Sequence, residues 1–203
     1  MTHDPIPEKK PKVRIVSERC IFNDFFRINE AYLSFLRFDG TWSRVHRRLN
    51  FERGDSVAAV LFKPRMQAVI LINQFRYPSY TKGDGWLIEL VAGTCEEGET
   101  VHETMRREIL EETGYSVGTL EEISKFYVSP GGTSERIVLF YAEIDEARPR
   151  LDTSGVHVEN ENIAVVEVPL SDAYQMLERS EIVDAKTIIG LQWLRAKVQE
   201  AAP

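Results

Sequence analysis

Long apolar runs are missing from these 203 residues. No stretch approaches the ~18 consecutive apolar residues that a membrane helix needs, which excludes a helical membrane span and leaves no expected membrane partner. Cysteine is scarce: only Cys20 and Cys95 occur, too few for a disulfide framework or a cysteine metal site. That usage points to a reducing, cytoplasmic compartment. Positive charge is short as well, 25 Lys and Arg against 32 Asp and Glu, for a net charge of -7. Nonspecific nucleic-acid binding depends on Lys and Arg neutralising phosphates, so nucleic acid is not an expected partner. A small anionic substrate stays open, because a divalent cation offsets the repulsion. The opening "MTHDPIPEKKPK" has no apolar core of a secretion signal and reads as a disordered tail over residues 1–12.

What is present is the balance of a soluble globular protein, 43% apolar and 28% charged, in a length that suits one large domain or one domain with an appendage. Residues 13–52 read as a β-rich segment. Its stretch "FFRINEAYLSFLRFDGTWSRVHRRLNF" alternates, with a hairpin signal at Asp39-Gly40. Residues 53–200 form the expected main domain. There "SVAAVLF" and "QAVILINQF", split by "KPRM", are two buried strands, and "GWLIELVAG" is a further strand ending at Gly93. Residues 100–113 read as a helix, because Val101, Met105 and Ile109 recur at i, i+4 and i+8. Thr100 with Glu103 makes a capping box, and Gly114 is the stop. "EISKFYV", the loop "SPGGTSE" and "RIVLFYAEI" form a strand–loop–strand unit. The polar loop "RPRLDTSGVHVENEN" leads to a last strand "IAVVEVPL", a helix "SDAYQMLERS" capped by Ser171, and a final amphipathic helix "DAKTIIGLQWLRAKVQEA". This order gives an α/β class with a mixed sheet.

The densest chemistry lies in "GTCEEGETVHETMRREILEETGY", Gly93 to Tyr115. On a helix Glu108, Glu111 and Glu112 occupy an arc of about 100°, since i, i+3 and i+4 share a face. Acidic clusters are usually solvated faces. Here the stripe of Val101, Met105 and Ile109 overlaps the arc near Glu112, so the carboxylates sit at the margin of the buried side. Partly desolvated carboxylates of one sign call for a cation, and hard oxygen donors suit Mg2+ or Mn2+.

The spacing narrows this further. From Gly93 follow five residues, Glu99, seven residues, Arg107-Glu108-Ile109, one residue, Glu111-Glu112, one residue and Gly114. Such a match arises by chance in roughly one in ten million chains of this length. It resembles the Nudix box, with Tyr115 where Ile, Leu or Val is usual. The resemblance implies a Nudix-type α/β/α sandwich with a mixed sheet, and hydrolysis of a nucleoside diphosphate linked to a further moiety. It also implies Glu108, Glu111 and Glu112 as metal ligands, the Ala92 carbonyl as an added ligand, and Arg107 with Glu99 bracing the loop.

Outside the box, "FERG", "QFRYPSY", "LIELVAG", "SPGGTSER", "ENENI" and "LQWL" resemble the ADP-ribose pyrophosphatase subfamily, of which the downstream Pro130 is a mark. That likeness spans about residues 20–197. It implies a homodimer with an exchanged N-terminal segment, and Phe25 and Arg48 sandwiching the adenine, with Arg47 able to trade places with Arg48. It further implies Arg76 on the diphosphate, Glu89 and Glu135 on nucleotide or ribose groups, Glu159 as general base and Glu161 as an extra metal ligand. His3, His46, His102 and His157 read as surface histidines, His157 lying near Glu159. Other nucleoside diphosphate sugars, such as GDP-mannose or ADP-glucose, are the nearest alternative substrates. A non-catalytic ligand sensor is the alternative of another class, disfavoured by the intact box.

Overall fold

The computed structural model describes residues 12–151 and 162–200. They form two compact units. One comprises the chain up to Arg53 together with Ser129–Ser134, and the other takes in Gly54–Val128 and the chain from Glu135 onward. No described helix is long and apolar enough to cross a membrane.

The first unit is a three-stranded antiparallel sheet in the order β1 (Val13–Asn23), β2 (Arg27–Phe35), β3 (His46–Glu52). Asp39-Gly40 does turn the chain, with Gly40 at φ +82° and Asp39 Oδ1 accepting the Thr41 N–H. The turn sits inside a longer connection, residues 36–45, rather than closing β2 directly onto β3. Glu30 on β2 is buried and accepts hydrogen bonds from Arg19 on β1 and Arg47 on β3. Both arginines hold its carboxyl below the usual carboxylate range, Arg47 foremost. One buried acid thus ties three strands together. β1 is exposed along its whole length, including Val13, Ile15, Val16 and Phe22.

The second unit carries a seven-stranded mixed sheet. Its path is β10 (Ala164–Pro169), β5 (Ala68–Phe75), β4 (Ser56–Lys63), β9 (Arg136–Glu143), β8 (Glu121–Tyr127). β4 and β9 run parallel, while the other pairs are antiparallel. Alternate residues of β4 and β5 feed two separate cores. Ala58, Val60, Val69 and Leu71 pack with α3 (Leu170–Glu178) and α4 (Ala185–Glu200). Val57, Ala59, Ile70 and Ile72 pack with Met105 and Ile109 of α2 (Val101–Thr113). Both faces are covered, which is why these strands read as continuous apolar runs rather than alternating ones. The result is the expected α/β/α sandwich, and among the described residues α2 is the one helix packed on its face.

"GWLIELVAG" departs from the sequence reading. It is two short strands, β6 (Trp86–Glu89) on β5 and β7 (Val91–Thr94) on β4. β4 and β5 pair only over Leu61–Lys63 and Ala68–Ile70 and then splay, and the segment crosses from one to the other. The break falls at Leu90, whose N–H is taken by Thr187 Oγ1 of α4 at 2.8 Å. A second departure is at α3. Its cap position is Pro169, and the Ser171 hydroxyl lies inside the first turn and donates to Asp172. Proline suits that boundary, since its fixed φ allows the turn into a helix. A short α1 (Tyr77–Tyr80) follows β5.

Candidate active site

The site starts from how firmly α2 is held. Thr100 and Glu103 form the reciprocal capping box, side chain to backbone in both directions. At the other end Gly114 takes the left-handed conformation, φ +71°, and returns its N–H to Leu110. Arg106 donates to the carbonyls of Val117 and Gly118 at 2.7 and 2.6 Å, clamping the chain that leaves the helix. Met105 and Ile109 are wholly buried, worth roughly 2–3 kcal/mol each. These contacts fix the rotation of α2 and thereby aim its carboxylates.

Glu108 and Glu112 point at β7. A Cβ built on Gly93 would fall 2.0 Å from Cδ and from Oε1 of Glu108, so only glycine admits that carboxylate against the strand. Ala92, the neighbouring residue, donates its N–H to Glu112 Oε2 at 3.3 Å. Glu111 lies further out and is 43% exposed at its side chain. Arg107 gathers the rest. Its guanidinium donates to both oxygens of Glu99 at 3.0 and 3.1 Å, to Glu108 Oε1 at 2.9 Å and to Glu111 Oε2 at 3.1 Å. Glu99 also accepts from Thr104 Oγ1 at 3.0 Å. The Arg107 hydrogen bonds hold the Glu99 carboxyl at about 2, and the Arg107 guanidinium is pushed up in return. Arg107 therefore stays charged and Glu99 ionised, and the loop from Gly93 to Thr100 is locked to the helix.

One guanidinium serves Glu99, Glu108 and Glu111 together. All donors are oxygens, the Ala92–Gly93 backbone lies against two of the carboxylates, and the pocket between helix and strand admits nothing with a Cβ at Gly93. That chemistry fits a hard divalent cation. Among the described residues no three His, Cys, Asp or Glu side chains converge as a ligand set.

The expected substrate residues fall into groups. Arg76, at the end of β5, donates from Nε and Nη2 to Glu89 Oε2 at 3.1 and 2.9 Å. Glu89 is buried, and its other oxygen lies 3.4 Å from Lys186 Nζ, which in turn pairs with Asp184 at 3.1 Å. Glu135, at the foot of β9, is buried and accepts from Ser56 Oγ at 2.8 Å. Phe25 and Arg48 belong to the first unit. Phe25 is 85% exposed in the β1–β2 turn with its ring 4.6 Å from that of Phe26. Arg48 is exposed on β3 opposite Ala31, whereas Glu52 of the same strand is opposite Arg27 beside the turn. Four residues of ladder, about 13 Å, therefore separate Arg48 from the end that bears Phe25. Both Arg47 and Arg48 are exposed, and Arg47 is the one that donates to Glu30. Glu159 and Glu161 lie outside the described residues, as does His157.

The sequence reading missed the Glu89–Lys186–Asp184 chain. A signal existed: Lys186 stands four residues before Gly190 and eight before Leu194, on the buried stripe of α4. A lysine on such a stripe demands a partner. Cys95, inside the box loop, has its thiol pushed up by burial, which keeps it protonated and unreactive.

A NUDIX domain model matches residues 52–189. The ADP-ribose pyrophosphatase of Escherichia coli (strain K12) is 37% identical over 195 residues, covering 94% of this chain and 91% of that protein. The GDP-mannose pyrophosphatase of Cronobacter sakazakii is 36% identical over 187 residues, covering 91% and 96%. A crystal structure described as an ADP compounds hydrolase superposes with a TM-score of 0.70 at 20% identity, covering 96% of this chain and 97% of its own, a likeness of fold. With an unbroken box laid on a helix whose carboxylates face a glycine-bearing strand, the chain belongs to the NUDIX family.

Proposed function

We propose that the protein is a pyrophosphohydrolase that cleaves ADP-ribose to AMP and ribose 5-phosphate, with Mg2+ or Mn2+ as cofactor. The observation that carries this reading is the seating of Glu108 on Gly93 and of Glu112 on the Ala92 N–H, together with relatives named for nucleoside diphosphate sugars. Glu108, Glu111 and Glu112 with the Ala92 carbonyl would hold the cation, and Glu161 would add a ligand. Bound there, the cation supplies charge neutralisation of the diphosphate and acidification of a water.

The chain's own residues do the remainder. Arg107, braced by Glu99, fixes the loop and helix so that the carboxylates do not drift. Arg76 binds diphosphate oxygens, its angle set by Glu89, whose other carboxylate oxygen faces Lys186. A water adds to phosphorus, the bridging P–O bond breaks, and the water's proton passes to Glu159. Glu159 suits that task because a carboxylate outside the cation's ligand set keeps its basicity. Its segment starts after Leu151, whose N–H is bonded to the Gly114 carbonyl at the end of α2, and returns at Ala164, opposite Asn73 on β5. Glu135 contacts nucleotide or ribose groups, and Phe25 and Arg48 offer the aromatic and guanidinium planes that stack on adenine. The chain works as a cytoplasmic homodimer through the first unit, a reading supported by the exposed apolar side chains of β1 and by two free cysteines.

A second reading, GDP-mannose or another nucleoside diphosphate sugar, is favoured by the 36% identical GDP-mannose pyrophosphatase. A panel of ADP-ribose, ADP-glucose, GDP-mannose and nucleoside triphosphates in Mg2+, with phosphatase-coupled phosphate readout, decides. The expected result is the highest kcat/KM for ADP-ribose. A higher value for GDP-mannose selects the second reading, and binding without turnover identifies a sensor.

A further inference from the structure

Gln74 is 4% exposed, yet its amide oxygen Oε1 has no hydrogen-bond partner among the described residues. Most buried side-chain polar atoms are paired, and an unpaired one calls for an explanation. Its position in the sheet supplies one. β5 pairs Ile72 with Glu89 and Gln74 with Leu87. Side chains two apart on a strand share a face, so Gln74 stands on the face of Ile72, the face packed by Met105 and Ile109 of α2. Arg76 is two residues further along, in extended backbone, and reaches back along the strand to Glu89. Gln74 therefore lies between the residues that make the Arg76–Glu89 ion pair, with an acceptor oxygen that no described residue satisfies.

We propose that Gln74 is a substrate-recognition residue whose Oε1 accepts a hydrogen bond from a sugar hydroxyl of the nucleotide sugar. This rests on the reading of Arg76 as the diphosphate ligand. An amide oxygen is only an acceptor, so its partner must be a donor. The diphosphate itself, ionised at neutral pH, has none to give. The groups flanking a diphosphate in this substrate class are the two sugars, and the base stands a full pentose further away. A sugar hydroxyl is thus the donor within reach of a residue beside Arg76. A bound hydroxyl would satisfy this oxygen, the pattern by which a site rejects analogues lacking the matching hydroxyl.

The test pairs a substitution with a substrate series. Gln74→Leu is close in volume and removes the orphan, so the account expects an unchanged or higher Tm together with a fall of about 10–100-fold in kcat/KM for ADP-ribose, the size of one hydrogen bond inside a closed site. Analogues of ADP-ribose each lacking one hydroxyl of either ribose are then compared on both proteins. The wild type should discriminate against one of them, and Gln74→Leu should lose that discrimination. The analogue for which it vanishes says whether the adenosine ribose or the distal ribose is read. Equal discrimination in both proteins across the whole series overturns the assignment. So does a lowered Tm with a uniform loss of rate, which marks Gln74 as a packing residue. A wild-type chain that turns over no nucleotide sugar refutes the functional reading itself and the Gln74 assignment with it.

Discussion

Gly93→Ala tests the geometry at its tightest point. The new methyl would lie 2.0 Å from the Glu108 carboxyl carbon, against the ~3.5–4.0 Å of an ordinary carbon contact. Glu108 must retreat by about 1.5 Å, and misplacing a catalytic group by ~1 Å costs on the order of 10²-fold in rate. The fold should survive. Overpacking costs roughly 1–3 kcal/mol, and replacing a strand glycine by alanine returns about 0.5–1 kcal/mol. At about 2–4 °C per kcal/mol for a chain of this size, Tm should fall by less than ~10 °C. Gly190→Ala is the matched control. Its Cβ would meet Val60 and Leu90 side chains at 2.7 and 2.8 Å in the opposite core, so Tm should drop while the folded enzyme keeps kcat within a few-fold. The assay is kcat at saturating Mg2+ alongside a thermal melt. A Gly93→Ala protein with kcat within threefold of wild type refutes the claim that Glu108 works where the structure seats it.

Three further outcomes are expected. Glu159→Gln should lower kcat by ~10²–10⁴-fold, the usual loss of a general base, while Glu161→Gln should instead raise the Mg2+ concentration for half-maximal rate; the opposite pattern would exchange their roles. Glu99 should make the protein acid-sensitive in a defined window. Its folded carboxyl sits at about 2, below the ordinary 4.5, so its stabilisation is complete above pH 4.5 and disappears as pH falls toward 2. The Tm gap between wild type and Glu99→Gln should close across that window, and a constant gap would show that the Arg107 pairing contributes nothing. Light scattering should give twice the chain mass, and Val16→Lys on the exposed edge strand β1 should weaken the dimer by placing charge among apolar side chains; a wild-type monomer at working concentration would refute the assembly.

The active helix was legible in the sequence because its determinants are local. Thr100, Glu103, Met105, Ile109 and Gly114 lie within one segment, and period, cap and stop agree. Even the Gly93–Glu108 contact, which joins a strand to a helix, is written into the box as a fixed spacing. The break at Leu90 was not legible, since it depends on a hydroxyl at Thr187 far along the chain. Lys186 was passed over for the same reason: Glu89, Arg76 and Asp184 come together only after β5, β6 and α4 pack. Gln74 hid at the polar end of a strand that reads as core. Phe25 and Arg48 were named as partners by likeness, and strand register adds that Arg48 lies about four residues of ladder from the end that bears Phe25.

The central claim is that the α2 carboxylates make this chain a cation-dependent pyrophosphohydrolase. Its most direct test is ADP-ribose hydrolysis by wild type and Glu112→Gln across a Mg2+ titration, with circular dichroism to verify the fold. The substitution is nearly isosteric and removes one ligand's charge beside Ala92. The account predicts a wild-type rate that rises with Mg2+ and vanishes in chelator, and a folded variant with almost no turnover at any Mg2+ concentration. A folded Glu112→Gln protein that matches wild type throughout the titration would contradict it and return α2 to a solvated acidic face.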